Sequence, residues 1–309
     1  MNILVTGCGG DIGTNIGRIL KKYNLKCYGI DINDNHIGKY IFTECFKICR
    51  ADNHNYIDEI TNLVKKHNIS LIIPCTEIEI KIFQNYKIDN VDFLICNKQF
   101  YDIGTNKYLT NKFLKDNNLD NPITYELNLE NKFKLNYPFI LKSKCGCGSK
   151  TVHLIEDEKM YEYILSKIDK LEDYIIQEYI NGLEYTCCIY KNKDVCKTIT
   201  MERTLCNGMT KSGQVVNNKI INNLLDKIIK LIEIVGSVNI QLRIKGDKAY
   251  IFEINPRFSS TIFFRHLLNF NDLIWFINDK LNLNLEHEEY NKDKIIGKKF
   301  CYSLDYHIL

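Results

Sequence analysis

Several features are missing from this sequence, and each absence removes a class of function. No apolar run reaches the ~20 residues that a membrane-spanning helix needs, so no membrane partner is expected. No basic run stands out, and a net charge of +3 is too small to call for nucleic acid. There is no internal repeat and no low-complexity linker. The Walker pattern G-x-x-x-x-G-K-[ST] is absent, so a P-loop nucleotide site is not expected. The paired spacing of a cysteine zinc site is missing too. Among 13 cysteines the close pairs are Cys45–Cys49 (C-x-x-x-C) and Cys145–Cys147 (C-x-C). Cys8, Cys75, Cys96, Cys187 and Cys188 sit inside apolar segments and read as buried free thiols of a reducing compartment. The opening MNILVTG reads as a strand and not as a signal peptide, which fits a cytoplasmic protein.

What is present is an ordinary globular composition, 45% hydrophobic and 26% charged over 309 residues, enough for about two domains. Residues 1–98 alternate strand and helix patterns. NILVTG is a strand, a helix crosses Thr14–Tyr23, and KCYGIDI is a strand ending at Asp31. A helix at Tyr56–His67 carries Ile57, Ile60, Leu63 and Val64 at helical spacing. The strand SLIIPCT, a helix from Glu77 to Asn85 and VDFLICN complete the block. The fold class is therefore α/β, with an N-terminal doubly wound parallel sheet, Rossmann-like in character. The composition shifts at residue 99. Residues 99–285 form a second unit, in which YPFILKSKCGCGSKTVHLI reads as strand, loop, strand within a lobe of about 120–180. The longest amphipathic helix is expected over Asn217–Val235. Residues 286–309 form a C-terminal segment whose KKFCYSLDY is expected as an edge strand, an edge suited to a homodimer.

Two glycine loops are candidates for anion binding. GCGGDIG, Gly7 to Gly13, follows a strand and opens a helix. Read as T-G-x-x-G-x-x-G, with Asp31 ending the next strand, it resembles an extended short-chain dehydrogenase. Such an enzyme also needs a Tyr-x-x-x-Lys pair, for which Tyr108–Lys112 and Tyr163–Lys167 are the options. KSKCGCGSKT, Lys142 to Thr151, is a flexible loop flanked by lysines and suited to covering phosphates.

The segment VNIQLRIKGDKAYIFEINPR is more specific. Its first strand has Ile240, Leu242 and Ile244 on one face and Asn239 and Gln241 on the other. In the second strand Phe252 and Ile254 are expected on one face, Glu253 and Asn255 on the other. If the apolar faces coincide, Gln241 lies opposite Glu253 and Asn239 opposite Asn255. That register calls for an odd loop, most simply three residues around Asp247. One patch then holds a carboxylate and amide oxygens beside Arg257, hard ligands that suit Mg²⁺.

Together the second-half pieces resemble the ATP-grasp superfamily, and within it a single synthetase lobe of the carbamoyl-phosphate synthetase large subunit, from about Asn106 to Leu281. The resemblance implies a two-lobed α+β ATP-grasp fold behind the N-terminal domain. It implies that Lys107, Lys142, Lys144 and Ser149 serve the phosphates of ATP. Glu178, with the backbone of Tyr179 and Ile180, would face the adenine, and Glu184 the ribose. Gln241, Glu253 and Asn255 would hold Mg²⁺, or Mn²⁺ in its place, and Arg257 would face the transferring phosphoryl group. The implied reaction activates a small carboxylic acid with ATP to an acyl phosphate, which a small amine attacks, releasing ADP and phosphate.

Two further assignments follow from the pattern. Arg203 is expected to end a strand before a lid loop TLCNGMTKSGQ, where Arg203 and Lys211 would bind the substrate carboxylate. Gly9, Gly10, Thr76 and Glu77 lie beyond the C-terminal ends of parallel strands, where ligands bind in open α/β sheets, and would line the substrate pocket. The alternatives are the dehydrogenase, a non-catalytic ATP-binding protein, and a carbamoyl-phosphate-type subunit that needs a partner.

Overall fold

The computed structural model describes residues 1–146, 151–206, 209–302 and 306–308. The first unit is a parallel sheet built from β1 (Asn2–Thr6), β2 (Lys26–Asp31), β3 (Glu44–Lys47), β4 (Ile69–Ile73) and β5 (Asp92–Phe93). Its helices are α1 (Asp11–Lys22), α2 (Tyr56–His67) and α3 (Glu77–Asn85). Strand order is β3-β2-β1-β4-β5, so the chain reverses direction across the sheet between β1 and β4. A crevice at the C-terminal ends of strands is expected at such a switch point. β2 and α2 fall at their expected residues, whereas VDFLICN contributes only two residues to the sheet.

Two helices, α4 (Lys98–Thr105) and α5 (Lys107–Asp116), lead into the second unit. Asn106 caps α5 by accepting from the backbone N–H groups of Tyr108 and Leu109, at 2.9 and 3.2 Å. A small antiparallel sheet follows, from β6 (Thr124–Glu126), β7 (Phe139–Ser143), β8 (His153–Ile155) and β9 (Tyr174–Glu178), in the order β6-β9-β7-β8. Helix α6 (Glu158–Leu165) packs on it through Tyr161 against Phe139, Leu141 and Ile155.

The remaining strands are β10 (Leu183–Lys191), β11 (Cys196–Cys206), β12 (Met209–Val215), β13 (Gly236–Lys245), β14 (Lys248–Asn255), β15 (Lys299–Tyr302) and β16 (Tyr306–Ile308). They form one antiparallel sheet in the order β14-β13-β10-β11-β12-β15-β16. Between β12 and β13 runs α7 (Lys219–Leu231), shorter than expected because Ile232 already leaves helical geometry. Helices α8 (Ile262–Leu267), α9 (Asp272–Leu281) and the short α10 (Lys292–Ile295) complete the chain. No helix among the described residues is long and apolar enough to cross a membrane.

Alternation along β10 sorts the core. Tyr185, Cys187 and Ile189 join α4, α5 and α7 on one face, while Cys188 and Tyr190 join α8 and α9 on the other. The second of these cores continues into the first unit, where Ile16, Ile19 and Leu20 of α1 belong to the same apolar cluster. Every cysteine expected inside is buried.

Two expectations are corrected here. The turn between β13 and β14 has two residues, not three, because Lys245 pairs with Lys248 and Gly246 takes φ +63°. A two-residue turn alone would place Glu253 against Ile240, in the core. A bulge between Gln241 and Leu242 leaves Phe252 as the extra residue and restores Gln241 opposite Glu253 and Asn239 opposite Asn255. Phe252 therefore leaves the Ile254 face and lines the cavity. The second correction concerns the lid. β11 continues past Arg203 to Cys206 and pairs with β12, so the segment is a hairpin arm of the sheet and not a long loop.

A buried ion pair ties α8 and α9 to the large sheet. Arg265, fully buried, reaches Asp272 through Nη2 at 2.7 Å and Nε at 3.3 Å. Its Nη1 donates to Ser259 and Thr261, and Asp272 also accepts from Ser237 on β13 at 2.5 Å. Removing the acid strands a charged guanidinium in the core. Asp272→Ala is expected to cost about 3–5 kcal/mol of stability in urea denaturation. A loss below about 1 kcal/mol would show the pair to be dispensable.

Candidate functional site

The two units and the small sheet enclose one cavity of about 1340 Å³. Its walls carry Gly9, Gly10 and Thr76 from the first sheet, Lys107, Lys142 and Glu178 from the α5 and small-sheet side, and Gln241, Glu253, Asn255 and Arg257 from the large sheet.

Lys142 is the pivot. β7 delivers it to the cavity with 4% of its surface exposed. Its Nζ donates to Gln177 Oε1 at 2.8 Å and to the carbonyl of Phe252 at 3.0 Å. An ammonium has three N–H donors, so these contacts leave one for a ligand. Burial pushes its pKa down to about 7, with Glu253 pulling it back up and Lys107 pushing it further down. Lys107 spends one donor on the Gly146 carbonyl, at 2.7 Å, and so holds the edge of the glycine loop. Ser149 lies outside the described residues. Lys144 is turned elsewhere. Its backbone is held at both ends by Asp173 and Lys107, and its side chain pairs with Glu126 at 2.5 Å, so it does not line the cavity.

Gln241, Glu253 and Asn255 line the same wall, which their register explains. Among the described residues none of the three spends its side chain on a hydrogen bond. Asn239, behind them, accepts from Thr186 at 2.7 Å. Arg257 joins the units. Its Nη2 donates to Glu77 Oε1 at 3.2 Å, its Nη1 to the Phe258 carbonyl, and its buried Nε has no partner.

Glu178, Tyr179, Ile180 and Glu184 line another stretch of the cavity. Glu178 accepts from the Ile123 N–H at 3.2 Å. Glu184 already has partners within the protein. Its Oε1 accepts from Arg203 Nε at 3.2 Å and Nη2 at 2.9 Å, and its Oε2 from Arg243 Nη2 at 3.0 Å. A carboxylate has about four acceptor sites, so one remains for a ligand. Cross-strand register produces this triad, since Glu184 pairs with Arg243 and lies one step beyond Tyr185–Glu202 in the ladder with β11. Arg203 lines the cavity, but its fork is already engaged by the protein's own acid. Lys211 is on the exposed face of β12, whereas Thr210 faces inward and accepts from Arg203. The pairing of Arg203 with Lys211 is therefore corrected.

On the first sheet, Gly9 gives its N–H to Asp31 Oδ2 at 3.0 Å and Gly10 gives its own to the Gly7 carbonyl at 3.0 Å. Neither is free to cradle a dinucleotide phosphate. Tyr108, Lys112, Tyr163 and Lys167 are all absent from the cavity wall, so the dehydrogenase constellation does not form. Thr76 spends its hydroxyl on the α3 capping box with Glu79, so only its position, not its hydroxyl, is offered to a substrate.

A family model described as the ATP-grasp domain matches residues 104–261. The chain belongs to the ATP-grasp family. It is 24% identical over 240 residues to the tyramine–L-glutamate ligase of Methanocaldococcus jannaschii, covering 74% of this chain and 68% of that one. It is 24% identical over 226 residues to the carbamoyl phosphate synthase large chain of Clostridium perfringens, covering 66% of this chain but 21% of the other. The structure of N5-carboxyaminoimidazole synthetase from Staphylococcus aureus complexed with ADP superposes with a TM-score of 0.74 at 16% identity, covering 98% of this chain and 82% of that one. The last is a likeness of fold. Within this ATP-grasp chain, the sequence reading passed over Arg243, Gln177 and the Phe252 carbonyl. Arg243 was accessible, since it continues the polar face of Asn239 and Gln241. The other two depend on how the lobes meet.

Lys142 yields a pH prediction. A phosphate beside it favours the charged form, so binding MgADP raises its pKa. Affinity is then level below about pH 7, where Lys142 is already charged, and falls as pH rises above that value. Titration calorimetry in buffers of different ionisation enthalpy should show proton uptake on binding above about pH 7, and Lys142→Met should abolish it. Uptake unchanged in the variant would assign the titration to another group.

Proposed function

We propose that the protein is an ATP- and Mg²⁺-dependent ligase that joins a small carboxylic acid to a small amine through an acyl phosphate. Family membership and the relatives named above support an enzyme that uses ATP to form a carbon–nitrogen bond between a carboxylate and an amine. The observation that carries the reading is the shared cavity: the Gln241–Glu253–Asn255 wall and the switch-point crevice of the first sheet open onto the same space.

The nucleotide lies along the cleft between Lys142 and the Glu178–Ile180 segment, with its ribose at the remaining acceptor of Glu184. The donor set at Gln241, Glu253 and Asn255 consists of hard oxygens left without protein partners, which fits Mg²⁺ or Mn²⁺. The ion, when bound there, supplies neutralisation of phosphate charge. The remaining work falls to side chains. Lys142 and Lys107 hold the phosphate oxygens, and Arg257 faces the transferring phosphoryl group, anchored by Glu77. The acid occupies the crevice beside Gly9, Gly10 and Thr76. Its carboxylate oxygen attacks the terminal phosphorus, the bridging P–O bond breaks and ADP leaves. The amine nitrogen then attacks the acyl carbon, and the C–O bond to phosphate breaks to give the amide. Phosphoryl transfer needs charge stabilisation and alignment more than covalent help, and this wall offers both.

Incubation of the full chain with Mg·ATP and pools of small acids and amines should release ADP only when a matching pair is present. Glu253→Gln is expected to lower kcat on the order of 10²-fold or more, with thermal stability retained. ADP release that needs no acid, or that survives the substitution, would remove the ligase mechanism.

A further inference from the structure

The fold gathers three side chains that no motif links. Cys8 sits in the turn after β1, His36 in the connection between β2 and β3, and Cys45 on β3 itself. Cys8 Sγ is 3.8 Å from His36 Nε2 and 3.9 Å from Cys45 Sγ, and all three ligand atoms lie within 4.8 Å of one another.

We propose that Cys8, His36 and Cys45 form a binding site for Zn²⁺ or a similar thiophilic divalent ion, separate from the magnesium wall. The geometry decides the class of ion. With Zn–S near 2.3 Å and Zn–N near 2.0–2.1 Å, the edges of a tetrahedron are about 3.8 Å between sulfurs and about 3.6 Å between sulfur and nitrogen. The two measured edges are within a few tenths of an ångström of these values. Two thiolates and an imidazole select a soft or borderline ion and reject Mg²⁺ and Ca²⁺.

The setting of the His36 imidazole supports the site. The imidazole is tightly seated: a Cβ on Gly9 would fall 2.7 Å from His36 Cβ, and one on Gly38 would fall 2.8 Å from His36 Nδ1. His36 Nδ1 is buried without a partner, so the ring's polar contact is the one that aims Nε2 at Cys8. His36, Gly9 and Asp31 line the cavity, while Cys8 is fully buried behind that wall. Occupancy would pin together the turn after β1, the segment 32–43 and β3, the same edge of the first sheet that the proposed substrate crevice uses. The site does not depend on the ligase reading.

The test uses the full chain, purified with reductant and chelator and then given one equivalent of Zn²⁺ or Co²⁺. One tightly held Zn²⁺ per chain after gel filtration, a raised Tm, and a thiolate-to-Co²⁺ charge-transfer band are expected. Cys45→Ser and His36→Gln should each weaken Zn²⁺ affinity by more than about 100-fold. Cys196→Ser, an exposed thiol elsewhere, should leave it unchanged. Melting of the metal-free variants at the wild-type temperature separates lost ligation from lost folding. Zn²⁺ held equally by Cys45→Ser, the absence of a thiolate band, or a chain that closes a Cys8–Cys45 disulfide and takes no Zn²⁺ would overturn the proposal.

Discussion

The carbonyl of Phe252 is held by a buried lysine from another sheet, and the active cavity takes its shape from that contact. The carbonyl is available because a bulge removes Phe252 from the ladder between β13 and β14. The same bulge corrects the parity set by a two-residue turn, so that Glu253 faces the cavity and Ile254 the core. One irregular residue thus aims the carboxylate, fixes the amides beside it and clamps the small sheet to the large one. The clamp gives Lys142 two neutral hydrogen-bond partners, and burial outweighs the opposing pull of Glu253 on its titration.

The second constraint is that the first sheet is not an independent appendage. Its helix α1 shares an apolar cluster with α8, α9 and one face of the large sheet. Arg257 and Glu77 cross the junction as an ion pair in which both side chains are largely buried. The crevice at the β1–β4 switch point is therefore fixed relative to the wall of Gln241, Glu253 and Asn255. Charge follows the same logic. Lys107, Lys142, Arg203, Arg243 and Arg257 line the cavity; Glu184, also on its wall, engages Arg203 and Arg243, and Glu77 engages Arg257. Lys142 and Lys107 stand in an enclosure whose low dielectric strengthens their interactions.

Much of this was legible from periodicity. The alternation in VNIQLRI and YIFEIN specified which side chains share a face, and the demand that apolar faces coincide specified their pairing. Repeated strand and helix patterns before residue 98 specified the parallel sheet. The errors have physical causes. Parity can be restored either by loop length or by a bulge, and alternation cannot distinguish the two, so Phe252 was assigned to the wrong face. TLCNGMTKSGQ has little apolar character, so it was taken for a loop, although residues 204–206 pair with 209–212 as strand. Lys144 and Lys211 carried positive charge, but Lys144, just past β7, pairs with Glu126 and Lys211 points to the exposed face of β12.

The sequence by itself determined the fold class, the family and the shared face of Gln241, Glu253 and Asn255, because these depend on local period and on residues close in the chain. Tertiary structure alone decided the company each side chain keeps. Glu184 meets two arginines only after three strands are laid side by side. Cys8, His36 and Cys45 meet only because parallel strands carry their C-terminal ends to one edge. Such contacts join residues tens of positions apart, and no local pattern along the chain encodes which distant groups a sheet will bring within bonding distance.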